Sequence, residues 1–119
     1  MGNKNYKSTI LIDLDGVLND YGLDGQKYNE NNIPKIKQGT KEFLEKINSL
    51  DMYNLVLFTT RNSLLASKWL IENGIDKYFS NVTSVKIPAI LHIDDRALCF
   101  KGDFNKTFED IIQFRTYWK

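Results

Sequence analysis

The chain has 119 residues, 42% of them hydrophobic and 26% charged, which fits one globular domain spanning 1–119 and leaves no room for a second folding unit. With 16 Lys and Arg against 15 Asp and Glu the net charge is +1, so no polyanion-binding arm is advertised and nucleic acid is left open rather than indicated. No apolar run approaches the ~20 residues of a membrane span, residues 1–7 lack a signal-peptide core, and the lone Cys99 allows no internal disulfide; together these predict a cytoplasmic protein, with Cys99 buried or half-buried.

Residues 9–18 read Thr-Ile-Leu-Ile-Asp-Leu-Asp-Gly-Val-Leu. The β-branched and aliphatic start suits a strand buried on both faces, and Asp13 and Asp15, two apart, point the same way. Two like charges side by side in a core call for a cation, and a divalent metal with oxygen ligands would settle them. Gly16 would let a phosphate approach the backbone, one Asp could attack phosphorus, and the other could handle protons. Residues 19–38 are polar and read as a loop, with a turn at Asp24-Gly25, and they are the only candidate lid. The crevice is therefore expected to be open to solvent.

Residues 40–50 have helical periodicity, with Thr40 as N-cap and Phe43, Leu44, Ile47 and Leu50 on the inner stripe. Residues 55–58 are a second buried strand ending in Thr59-Thr60-Arg61-Asn62. There, free backbone N–H groups and Thr hydroxyls make a phosphate-binding corner, while Arg61 reads as a solvated or salt-bridged surface charge. A helix over 63–73 follows, with Leu65, Trp69 and Leu70 inward and Gly74 as its stop. Residues 81–84 read as a short strand, and 85–88 break regular structure at Pro88 just after Lys86.

Residues 90–93 form another apolar strand that ends in acid, Asp94-Asp95, with His92 read as a packing residue holding a satisfied hydrogen bond. Residues 98–104 are turn-like, and Thr107-Phe-Glu-Asp has capping-box spacing, predicting a closing helix to about Trp118 that covers one face of the sheet. Strands alternating with helices predict an α/β three-layer, Rossmann-like fold with a mostly parallel central sheet and no cap domain. In such a sheet the carboxyl ends of neighbouring strands converge, so Asp13, Asp15, Thr59 and Asp94 could meet in one crevice.

The hexapeptide at residues 13–18, Asp-Leu-Asp-Gly-Val-Leu, resembles the DxDG[TV]L signature of the haloacid dehalogenase-like (HAD) superfamily, most of whose members are magnesium-dependent phosphatases. The apolar strand before Thr59 resembles that family's second motif, Lys86 its third, and Asp94-Asp95 its acidic fourth, across roughly residues 9–96. The resemblance implies Asp13 as nucleophile, Asp15 as general acid and base, and Thr59 and Lys86 on the phosphoryl group. It places magnesium on Asp13, Asp94 and the Asp15 carbonyl, with Asp95 assisting. It implies a capless phosphomonoesterase acting on a nucleotide, a polynucleotide end or a sugar phosphate, with a homo-oligomer left open.

Three other readings stand beside it. A catalytically idle phosphate- or metal-binding module would keep the same residues. A receiver domain of two-component signalling has the same size and ingredients, but it resembles an adjacent acidic pair after the first strand and a single Asp mid-chain, an order not seen here. Metal-free salt bridges to Arg61, Lys86 and Arg96 would also account for acidic strand ends.

Overall fold

The computed structural model describes residues 7–23 and 27–119. In chain order the elements are β1 (Ser8–Asp13), α1 (Thr40–Ser49), β2 (Tyr53–Phe58), α2 (Ser63–Glu72), a 3-10 turn at Asp76–Tyr78, β3 (Phe79–Thr83), β4 (Leu91–Ile93) and α3 (Phe104–Gln113). The four strands form one sheet in the order β3-β2-β1-β4, and every pairing is parallel. This is the expected α/β, Rossmann-like class with a parallel central sheet.

Strand order fixes where a site can form. The chain steps outward from β1 to β2 to β3, then returns to place β4 on the other side of β1. The direction of winding reverses between β1 and β4, and at such a switch point the loops beyond the strands' carboxyl ends part to leave a crevice. Asp13 closes β1 and Asp94 follows β4 directly, so both stand at that crevice.

The core explains why β1 and β2 are central. Ile10 lies opposite Leu55 and Ile12 opposite Leu57, so all four share one face of the sheet. They join Leu44 of α1 and Ala66, Trp69 and Leu70 of α2 in one buried cluster. Each fully buried aliphatic side chain there is worth about 1.5–3 kcal/mol.

Helix α2 is set at both ends by its own sequence. Asn62 Oδ1 accepts hydrogen bonds from the amides of Leu64 and Leu65 at 2.9 and 3.1 Å, capping the N-terminus. At the other end Gly74 takes φ +70°, its amide reaching Ile71 O and that of Ile75 reaching Leu70 O, both at 3.0 Å. That pair of bonds is a Schellman motif, the stop expected of Gly74.

Several expectations are corrected. Thr40 is the first helical residue of α1 rather than its cap: Gly39 occupies the cap position with no side-chain bond, and the Thr40 hydroxyl donates instead to Leu18 O at 3.1 Å. Phe43 and Leu50, expected inward, are exposed, because Leu44 and Ile47 already fill the contact with the sheet. Helix α3 starts at Phe104, capped by Asp103 through the amides of Asn105 and Lys106. Thr107 lies inside it and donates back to Asp103 O, so the capping-box reading placed the start one turn late.

The same helix ends at Gln113, leaves no residue buried, and does not provide the cover expected of it. Cys99 and His92 are exposed as well. His92 lies on an edge strand and meets Phe58 edge-on at 6.4 Å. Within 19–38 the described residues, 19–23 and 27–38, form no helix or strand, as expected, and Asn19 and Ile36 form an antiparallel bridge across them. The turn expected at Asp24-Gly25 lies outside the described residues.

Candidate functional site

A cavity of about 280 Å³ opens at the carboxyl ends of β1, β2 and β4, lined by Asp13, Asp15, Tyr21, Tyr28, Phe58, Thr59, Thr60, Asp94, Asp95 and Arg96. Six of the eight residues expected at the site are therefore in one place. A larger groove of about 370 Å³ between α2 and β3 carries a single acid, Asp76, and no cluster of metal-ligating groups.

Asp13, Asp94 and Asp95 each offer a carboxylate oxygen, and these lie within 4.8 Å of one another. Burial pushes the Asp13 carboxyl up to about 8, and the charges of Asp94 and Asp95 push in the same direction. Three acids held this close, one largely withdrawn from water, are short of positive charge. An all-oxygen, carboxylate-rich donor set suits a hard divalent cation such as magnesium, so the residues fit the ion that the family resemblance implies.

Asp15 is occupied differently, and its carboxylate stands outside that trio. Arg61 grips it with two bonds, Nε to Oδ2 at 2.8 Å and Nη2 to Oδ1 at 3.1 Å, while Asn19 Nδ2 adds a third, to Oδ1, at 3.1 Å. Among the described residues Oδ2 thus accepts one hydrogen bond, which leaves it a lone pair. Arg61 is only 4% exposed, which corrects its reading as a surface charge. Its Nη1 donates to the carbonyls of Asn29 and Glu30 at 2.8 and 3.2 Å, and its guanidinium lies 4.6 Å from the centre of the Tyr28 ring. One buried cation therefore joins a candidate catalytic acid to the loop that borders the cavity.

Thr59 is buried, its amide bonded to Thr83 O at 2.9 Å and its hydroxyl accepting from the Arg61 amide at 3.1 Å. The Thr59 hydroxyl retains its proton for donation, and Thr60 is exposed beside it. Lys86 is exposed and is not among the residues lining the cavity; the cation on the rim is Arg96.

Gly16 also differs from its expected use. Its amide donates to Asn19 Oδ1 at 3.1 Å, and a Cβ at this position, with φ +83°, would stand 2.1 Å from Asp95 Oδ2. The missing side chain makes room for Asp95.

Sequence reasoning missed Asn19, which is fully buried and bonds the amides of Gly16 and Tyr21 as well as Asp15. The available signal was an Asn three residues after the glycine of an Asp-Gly turn, where an amide side chain can satisfy the loop backbone. It also missed the segment after α3. Trp118 Nε1 donates to Asp95 Oδ2 and Tyr117 OH donates to Gly16 O, both at 2.6 Å. Loop 19–38 is therefore not the only cover near the crevice.

No protein-family model and no curated protein matches the chain. Among solved structures, one of a conserved protein coded by a locus of Bacteroides thetaiotaomicron is similar over 94% of this chain and 95% of that one, with a TM-score of 0.59 at 22% identity. An uncharacterised protein from Listeria monocytogenes serotype 4b matches 88% of this chain and 58% of its own, with a TM-score of 0.48 at 18% identity. The first likeness shows the fold. Among the described residues no helix is long and apolar enough to cross a membrane.

Proposed function

We propose that this protein is a magnesium-dependent phosphomonoesterase of the HAD type, acting in the cytoplasm through an aspartyl-phosphate. The observation that carries the reading is the Asp13, Asp94 and Asp95 trio at the switch point, with the Asp13 carboxyl raised to about 8 by burial and by its acidic neighbours. A group so placed gains most from a cation, and Asp13 is also the first acid of the segment that resembles the family signature.

Asp13, Asp94 and Asp95 would hold the magnesium, which when bound neutralises the acids and withdraws charge from the phosphoryl oxygens. An Asp13 oxygen attacks phosphorus, the phosphorus to ester-oxygen bond breaks, and its electron pair leaves with that oxygen. Asp15, through the free lone pair of Oδ2, carries the proton that the leaving oxygen takes up. Asp15 then accepts a proton from the water that attacks phosphorus and frees Asp13. The Thr59 hydroxyl and Arg96, both in the cavity lining, would offset the charge developing on the remaining oxygens. Lys86, which the resemblance implies for that role, is exposed outside the cavity lining, and the reading does not need it.

One observation favours the idle binding module. Arg61 holds Asp15 with the two-point geometry of a structural ion pair, which suits an anchor as well as a proton carrier. The test is phosphate release from a panel of sugar phosphates, nucleotides and oligonucleotide ends with magnesium, with calcium and with chelator. Hydrolysis that needs magnesium and fails with calcium supports the enzyme, because calcium takes more ligands at longer distances and loosens the in-line geometry. Metal binding with no release from any substrate would favour the module.

A further inference from the structure

The segment after α3 returns to the candidate site and closes on it through two short hydrogen bonds that no secondary-structure element requires. Trp118 Nε1 donates to Asp95 Oδ2 at 2.6 Å. Tyr117 OH donates to Gly16 O, also at 2.6 Å and 101 residues away in the chain. The Trp118 ring meets Tyr21 edge-on at 5.6 Å, and the Arg96 guanidinium lies 5.3 Å from the Trp118 ring and 5.6 Å from that of Tyr21.

Two glycines leave the space this arrangement occupies. A Cβ on Gly22 would stand 2.4 Å from the Trp118 ring, and one on Gly16 would strike the Asp95 carboxylate. Glycine at 22 admits the indole and glycine at 16 admits its acceptor.

We infer that Trp118 is a positioning residue for the metal: by holding Asp95 Oδ2 it fixes which way that carboxylate faces and aims the other oxygen at the pocket shared with Asp13 and Asp94. A carboxylate free to rotate between two equivalent faces loses rotamer entropy when it ligates, whereas one already held by an indole N–H has lost it on folding. The same ring, with Tyr21, keeps Arg96 at the rim of the cavity. The inference rests on the metal site of the proposed function but does not require that a phosphate ester be cleaved.

The test is a manganese titration of the wild-type chain and of Trp118→Phe, read by the magnetic resonance of the free ion, together with phosphate release. Phenylalanine keeps an aromatic ring while removing the N–H donor and part of the indole, and outer-shell partners of metal ligands are typically worth 10- to 100-fold in affinity. Trp118→Phe should bind manganese about 10- to 100-fold more weakly, and raising the metal concentration should restore its turnover. Binding within about threefold of wild type would overturn the inference while leaving the enzyme reading intact, since typical outer-shell losses are larger.

Weakened binding in a protein that releases no phosphate from any substrate would sink the enzyme reading and leave the inference standing. A wild-type chain that binds no metal would end both. A second measurement covers a variant that does not fold: magnesium titrated into the wild type should move the indole N–H resonance of Trp118. That of Trp69, which donates to Pro34 O at 3.1 Å, should stay still. Two static resonances would overturn the inference on their own.

Discussion

The two sides of β1 are built differently. Toward β2 the sheet is packed under α1 and α2, with Leu44 and Leu57 at 0% exposure and the buried Arg61 tying loop carbonyls to Asp15. Toward β4 the strand has three residues, none of them buried, and α3 leaves Phe104 81% and Phe108 64% exposed. The candidate site straddles this seam. Asp13, Asp15 and Thr59 come from the packed side, while Asp94, Asp95, Arg96 and Trp118 come from the open one. Rigid elements fix the acid that would attack, and side-chain bonds have to hold the groups that would bring the metal to it. That division is why two short bonds from Tyr117 and Trp118 matter more here than they would in a buried core.

Removing the packed side's cation should cost the most. Arg61→Ala leaves Asp15 with only its bond from Asn19 and two loop carbonyls without their donor, and breaking such a buried pair is expected to destabilise the fold by about 3 kcal/mol, measured by urea unfolding. A loss under about 0.5 kcal/mol would mean that the contact is a surface pair in energetic terms. Leu44→Ala, by cavity formation, should cost about 2–3 kcal/mol, whereas Phe108→Ala on the open side should stay within about 0.5 kcal/mol. Comparable losses for the two would erase the contrast, and would show that something covers α3 in solution.

A further effect is a pH dependence confined to the seam. The Asp13 carboxyl sits near 8 in the folded protein against 3.8 as an isolated group, so the folded state holds its proton more tightly than the unfolded one. That contribution is fully present below about pH 4 and is lost as pH rises through about 8. Between pH 6 and 8.5 the Tm of the chelator-treated protein should therefore fall. Magnesium should raise Tm more at the alkaline end, and Asp13→Asn should flatten the slope. A metal-free Tm that climbs across this window in the wild type, with the same climb in Asp13→Asn, would remove Asp13 as its cause.

The comparison also explains what could be read from the sequence. On the packed side, periodicity and local chemistry agree: the apolar residues 55–57 are buried, Asn62 caps because its side chain reaches two amides, and Gly74 stops α2 because φ is positive there. The convergence of Asp13, Thr59 and Asp94 followed from parallel strands alone. On the open side those rules lose their hold. The stripe of Phe108, Ile111 and Ile112 looked like a core face, yet it buries nothing, since amphipathicity says which face is apolar and not what it meets. Arg61 and Trp118 were illegible for a different reason. Each acts through a partner 46 or 23 residues away, and no local pattern encodes such a pairing.

The central claim is that Asp13 becomes phosphorylated. The direct measurement is an acid-quenched reaction of the protein with a radiolabelled phosphomonoester and magnesium, followed by peptide mapping of the label, in wild type and in Asp13→Asn. The expected result is a hydroxylamine-labile phosphoryl group on the peptide carrying Asp13, absent with chelator. It should also be absent in Asp13→Asn, where phosphate release falls by about 10³-fold or more, roughly 4 kcal/mol of barrier. Steady phosphate release with no label on that peptide, or an Asp13→Asn variant within about tenfold of wild type, ~1.4 kcal/mol, would contradict it.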